Sequence, residues 1–157
     1  MLKLILVRHA KSAWGDATLA DFDRPLAPRG RHAAAWVGTA LQERAIAPEL
    51  ILCSPAARTR ETLRLAALDG AVQFEPQVYE DRDGDYLDLL RAVEGSPSPL
   101  VLIGHNSATA VTAALLAGSR DDFPTAAFAV IELAIAEWRE LRAGQGTLVE
   151  YCVPPKD

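Results

Sequence analysis

The chain has 157 residues, 50% of them hydrophobic, and sixteen Lys plus Arg against twenty-one Asp plus Glu give it a formal net charge of -5. That length and apolar content suit one substantial core, so a single domain over residues 1–157 is expected. The acidic balance offers no global attraction to nucleic acid or to an anionic membrane, and Cys53 and Cys152 are too few and too poorly patterned for a disulfide framework or a four-ligand zinc site.

Residues 2–7 are apolar except for Lys3, the pattern of a strand covered on both faces in a parallel sheet. The run is too short for a membrane span, and Arg8 and His9 end it before a signal-peptide core can form, so a cytoplasmic location is expected. Residues 11–24, with Gly15 and several aspartates, read as a loop. Pro28 and Gly30 lead into a helix over residues 31–44, where Ala33, Trp36, Val37 and Leu41 recur near helical spacing. A second strand follows at residues 50–53. Ser54 and Pro55 read as cap and first residue of a helix over residues 56–67.

Residues 72–74 suit a short third strand, and Tyr86, Leu87, Leu89, Leu90 and Val93 mark a short amphipathic helix stopped by Pro97 and Pro99. Residues 100–103 form the clearest internal strand. After Gly104, His105 and Asn106, an Ala-rich helix extends to Leu116 and ends near Gly118, and residues 128–133 and 147–153 read as strands joined by turns. The fold class is therefore α/β: a three-layer α/β/α sandwich with a mainly parallel central sheet and a strand-rich C-terminal region.

Three predicted strands end in polar residues of one kind. The first runs into Arg8 and His9, the second into Ser54 with Arg58 one turn later, the third into His105 and Asn106. Taken alone, each reads as a solvated residue, a structural histidine or a helix cap. Together they fall at the carboxyl ends of strands, where open parallel sheets form their ligand crevice. Arginine offers a rigid, permanently charged fork to phosphate oxygens, which suits Arg8 and Arg58 to clamp a phosphoryl group. Helix starts near Ser54 and Asn106 would add backbone amides. A neutral histidine attacks phosphorus through one nitrogen while the other is held as a donor; the tight position after the strand favours His9 for that role, with His105 donating to a phosphate oxygen.

These stretches resemble the histidine phosphatase superfamily, also called the phosphoglycerate mutase-like fold, and within it the small branch of SixA-type phosphohistidine phosphatases. The resemblance rests on VRHAKSAW, on SPAARTRET, which carries Arg58, on VLIGHN, which ends at His105 and Asn106, and on DRPLAPRG, which contains Arg24. It implies that His9 is transiently phosphorylated and then hydrolysed, that Arg8, Arg58 and His105 form the phosphate pocket, and that Arg24 extends it. It also implies an acid after the third strand, where Glu80 is the best positional match; Asp81 and Asp83 lie close by, and an exposed acidic turn explains the stretch equally well.

Three departures bear on substrate. Ala10 stands where larger relatives have glycine, Gly15 where sugar-phosphate mutases have asparagine, and Glu61 where glutamine is usual. These weaken a mutase more than a phosphatase, and the short span before the strand at Leu100 leaves little room for a helical cap. The expected function is a metal-independent phosphohistidine phosphatase with no cofactor, acting on a phosphohistidine-bearing signalling or phosphotransfer protein. The alternatives are a phosphomonoesterase acting on a small phosphorylated metabolite, a mutase, or a non-catalytic phosphate-binding module. Neither a dinucleotide fingerprint nor a Walker loop is present.

Overall fold

The computed structural model describes residues 1–156. Four strands, β1 (Leu2–Arg8), β2 (Leu50–Cys53), β3 (Ala71–Phe74) and β4 (Leu100–Gly104), run parallel, and β5 (Phe128–Leu133) and β6 (Gly146–Cys152) add an antiparallel edge. The order across the sheet is β3-β2-β4-β1-β5-β6.

Alternation along the strands sends two sets of side chains to opposite faces. Leu4, Leu6, Leu52 and Leu102 pack with α5 (Ala108–Ala117) and with Val78 and Leu90 from the short helices α3 (Pro76–Glu80) and α4 (Leu87–Arg91). Ile5, Val7, Ile51, Val101 and Ile103 face α1 (Pro28–Glu43) and α2 (Ala57–Ala66). The central strands are buried on both sides, as their near-continuous apolar sequence requires, and each fully buried Leu, Ile or Val stabilises the fold by about 1.5–3 kcal/mol. The three-layer expectation therefore holds. No helix among the described residues is long and apolar enough to cross a membrane.

Several local expectations change. The first helix begins at Pro28 rather than Arg31, because proline at the first helical position needs no amide partner and carries the right φ. Ser54 and Pro55 do not start α2, which begins at Ala57 after Ala56 with no side-chain cap. Ser54 is fully buried, and its hydroxyl accepts the Ala56 amide at 3.2 Å while facing His105. The predicted loop contains a 3-10 turn at Asp21–Asp23, α3 is an additional short helix, and α5 starts two residues beyond Asn106. Gly118 ends α5 in the left-handed conformation, as the sequence suggests.

The helix layer beside the site is held by a close approach of α1 to α2. A Cβ built on Gly38 would lie 1.9 Å from the Ala66 carbonyl oxygen, a backbone atom that moves only with its helix. Gly38→Ala is therefore expected to lower stability by about 1–3 kcal/mol, read as a reduced urea midpoint with unchanged m-value. An unchanged midpoint contradicts this packing.

Candidate active site

Sheet register builds the centre of the site. β1 and β4 are parallel neighbours with Arg8 opposite Gly104, so His9 and His105 emerge side by side one residue later. The His9 amide donates to the Gly104 carbonyl at 3.0 Å, and the two ring centroids stand 5.3 Å apart. β2 is the neighbour of β4 on its other side, which brings Ser54 Oγ to 2.8 Å from His105 Nε2. Three strand ends thus converge on a cavity of about 490 Å3.

His9 is 6% exposed, and its Nδ1 lies 2.7 Å from the Ala10 carbonyl oxygen. A carbonyl only accepts, so Nδ1 carries the hydrogen and Nε2 keeps the lone pair. Burial pushes the His9 pKa from 6.5 down to about 3; the bond to Ala10 opposes this, and the charges on Arg58, Arg8 and Arg24 reinforce it. The Ala10 amide donates to Thr62 Oγ1 at 3.0 Å, tying the turn after β1 to α2. Ala10 is fully buried, and its φ is not positive, so alanine fits where a glycine is usual.

His105 is also kept neutral. Burial, then the neighbouring His9 and Arg58, lower its pKa to about 2. Ser54 Oγ accepts the Ala56 amide, and its own hydrogen is satisfied by donation to the facing His105 Nε2, an arrangement that places the ring hydrogen on Nδ1. Behind the ring, the His105 amide donates to the Tyr86 hydroxyl at 3.0 Å, an approach that requires glycine at 104, where a Cβ would lie 2.6 Å from that oxygen.

The guanidinium groups surround the imidazoles. Arg58 is 4% exposed and donates to the Asp21 carbonyl at 2.7 Å and to its carboxylate at 3.0 Å. Arg8 donates to the Phe123 carbonyl at 3.0 Å, and Arg24 donates to Ser12 Oγ at 2.8 Å and to Asp21 at 3.0 Å. Partial burial opposes ionisation of Asp21, but hydrogen bonds from Tyr79, Arg24 and Arg58 hold its carboxyl well below the usual carboxylate range. Arg8 Nε, Arg58 Nε and His105 Nδ1 are buried without a hydrogen-bond partner. Buried polar atoms are nearly always paired, and these three exceptions belong to residues that line the cavity.

Arg8, His9, Arg24, Arg58, His105 and Asn106 all line this cavity. The Asn106 side chain is already engaged, donating to the Asp122 and Phe123 carbonyls at 2.7 and 3.1 Å and so fixing the loop that also receives Arg8. Glu80 is exposed at the end of α3 and does not line the cavity; Arg82 and Asp83 do. Sequence reasoning missed Ser12, Trp14 and Asp21 at the cavity, and Ser54 and Thr62 as its supports. The i,i+3 pair of Asp21 and Arg24 was the signal available for Asp21. Glu61 accepts the Leu26 amide at 2.8 Å, a role that a glutamine carbonyl performs equally, which explains its tolerance there. Among the described residues, no group of three or more His, Cys, Asp or Glu side chains is placed to hold a metal ion.

Such a cavity, with a buried neutral imidazole between fixed guanidinium groups at the ends of parallel strands, defines a phosphoryl-handling protein. Residues 4–92 match the family model for the histidine phosphatase superfamily (branch 1), and the chain belongs to that family. The uncharacterized protein Rv1276c of Mycobacterium tuberculosis is 33% identical, with 94% of this chain and 99% of that protein covered. A Nakamurella multipartitia structure assigned as the phosphohistidine phosphatase SixA superposes with a TM-score of 0.85 at 27% identity, covering 98% of this chain and 96% of that one. A structure from Agrobacterium tumefaciens with the same assignment gives 0.80 at 28% identity, covering 98% and 99%.

The low pKa values predict that the His9 and His105 rings of the anion-free protein stay neutral from pH 8 down to pH ~5, with the His9 hydrogen on Nδ1, as read by nitrogen-15 NMR. The unfolded chain protonates these rings below pH ~6.5 while the folded protein does not, so stability falls as pH drops through that window. A His9 midpoint near 6.5, or a hydrogen on Nε2, contradicts the geometry.

Proposed function

We propose that the protein is a metal-independent phosphohistidine phosphatase that uses His9 as its nucleophile and acts on a phosphohistidine-bearing signalling or phosphotransfer protein. The observation that carries this reading is the His9 ring, neutral, tied through Nδ1 and presenting Nε2 to a cavity lined by Arg8, Arg24, Arg58 and His105.

The Nε2 lone pair attacks phosphorus, the phosphorus–nitrogen bond breaks, and its electron pair returns to the departing imidazole. That group leaves as a neutral ring when its other nitrogen already bears a proton, so little demand falls on a protein acid. Arg8, Arg58 and Arg24 balance the negative charge on the transferring oxygens, the role a metal ion fills elsewhere, and His105 Nδ1–H donates to one of them. Water then attacks phosphorus, inorganic phosphate departs, and Nε2 regains its lone pair.

The short form of the chain fits a substrate displayed on a protein surface. Between α2 and β4 it carries only β3 and two five-residue helices. Gly15 contributes no side chain where a mutase asparagine would reach for sugar phosphate. A phosphate ester needs its alkoxide protonated, and with Glu80 outside the cavity Asp83 is the carboxylate in position for that lesser activity.

The test compares a histidine-phosphorylated protein, a phosphohistidine peptide and a panel of phosphorylated metabolites, all under chelation. The expected outcome is highest kcat/KM on the phosphohistidine substrates and a loss of at least about a thousandfold in His9→Ala. Turnover of one metabolite faster by orders of magnitude, with negligible release from phosphohistidine, overturns the substrate assignment.

A further inference from the structure

Trp14 is the feature of the cavity that phosphate chemistry leaves unused. It lines the cavity yet is 77% exposed, a large apolar ring on a loop where solvation favours a polar side chain. The Arg24 guanidinium lies 3.7 Å from the Trp14 ring centroid, in direct contact with one face. Arg24 cannot drift, because Ser12 and Asp21 hold it and its side chain is only 11% exposed. The loop backbone is fixed as well: the Ala13 amide donates to the Pro25 carbonyl at 2.8 Å, and Ser12 bridges to Leu26. The indole therefore lies with one face on Arg24 and the rest of its surface open beside the cavity.

Phosphate oxygens gain nothing from the face of an indole, whose π surface is negative. A flat ring attached to phosphorus does, because stacking buries apolar area and aligns the two π-systems. We infer that Trp14 forms a ring-binding subsite next to the phosphate clamp and stacks the planar leaving group of the substrate. Resting on the phosphohistidine reading above, that ring is the imidazole of the substrate histidine. The subsite adds specificity: it distinguishes a phosphorylated imidazole from a phosphoryl group on a small or flexible carrier, which meets the same arginines and nothing flat beyond them. Gly15, with open space around it, leaves room for the polypeptide that bears the ring.

The test pairs a phosphohistidine peptide with phosphoramidate, which has the same phosphorus–nitrogen bond and no ring. Trp14→Ala is expected to lower kcat/KM on the peptide by about tenfold and on phosphoramidate by less than about twofold, with Trp14→Phe retaining most of the peptide activity. The exposed position makes the alanine variant safe for folding, and an unchanged inhibition constant for inorganic phosphate confirms an intact clamp. Equal losses on both substrates overturn the inference and reduce Trp14 to a support for Arg24. No loss on either overturns it outright. If the wild-type protein leaves both substrates untouched, the phosphohistidine reading has failed instead. The subsite is then read by the same variants on phenyl phosphate against glycerol phosphate, where loss confined to the aryl ester supports it and equal loss overturns it.

Discussion

Two histidines buried side by side cannot take up a second proton each, and the rest of the site follows from that constraint. Burial at the ends of β1 and β4 is the main cost of charging them and the nearby guanidinium groups add to it, so both rings stay neutral. Neutral rings have one hydrogen each, and the structure decides where each hydrogen sits. The Ala10 carbonyl takes that of His9, and the Ser54 hydroxyl occupies Nε2 of His105. The two imidazoles thus carry their hydrogens differently, although both stem from equivalent positions on adjacent strands, and the proposed function uses one as nucleophile and the other as donor.

Asp21 is the counterweight. Its carboxylate and carbonyl accept from Arg58, and its carboxylate also accepts from Arg24 and from Tyr79. The arginines are thereby oriented before substrate arrives, which limits the ordering cost of binding a phosphoryl group. The same carboxylate balances part of the positive field, so the cavity attracts an anion without all of its guanidinium charge standing unpaired. Arg8 is set by a different device, the Phe123 carbonyl, which Asn106 also holds.

Much of this was legible in the sequence because parallel strands buried on both faces have a plain signature. Leu4 to Val7, Ile51 to Cys53 and Val101 to Ile103 can scarcely be anything else, and the polar residues that follow them must share one edge of the sheet. What escaped is contact information that no local pattern contains. Ser54 before Pro55 looks like a helix cap, and only the register of β2 against β4 shows its hydroxyl going to His105. Asp21 lies in a loop whose turn becomes visible once Arg58 and Tyr79 are placed from other elements. Glu80 was selected by position along the chain, but the short α3 turns it outward and brings Asp83 to the cavity instead.

The tautomer of His9 connects fold to the proposed chemistry, since it leaves Nε2 as the atom able to attack phosphorus. Rapid-quench trapping with a radiolabelled phosphohistidine peptide measures it most directly. With His9 as the nucleophile, stoichiometric, acid-labile and base-stable phosphate is expected on its Nε2, decaying as inorganic phosphate appears. Turnover without that intermediate, or with the phosphate on Nδ1 or on His105, contradicts it.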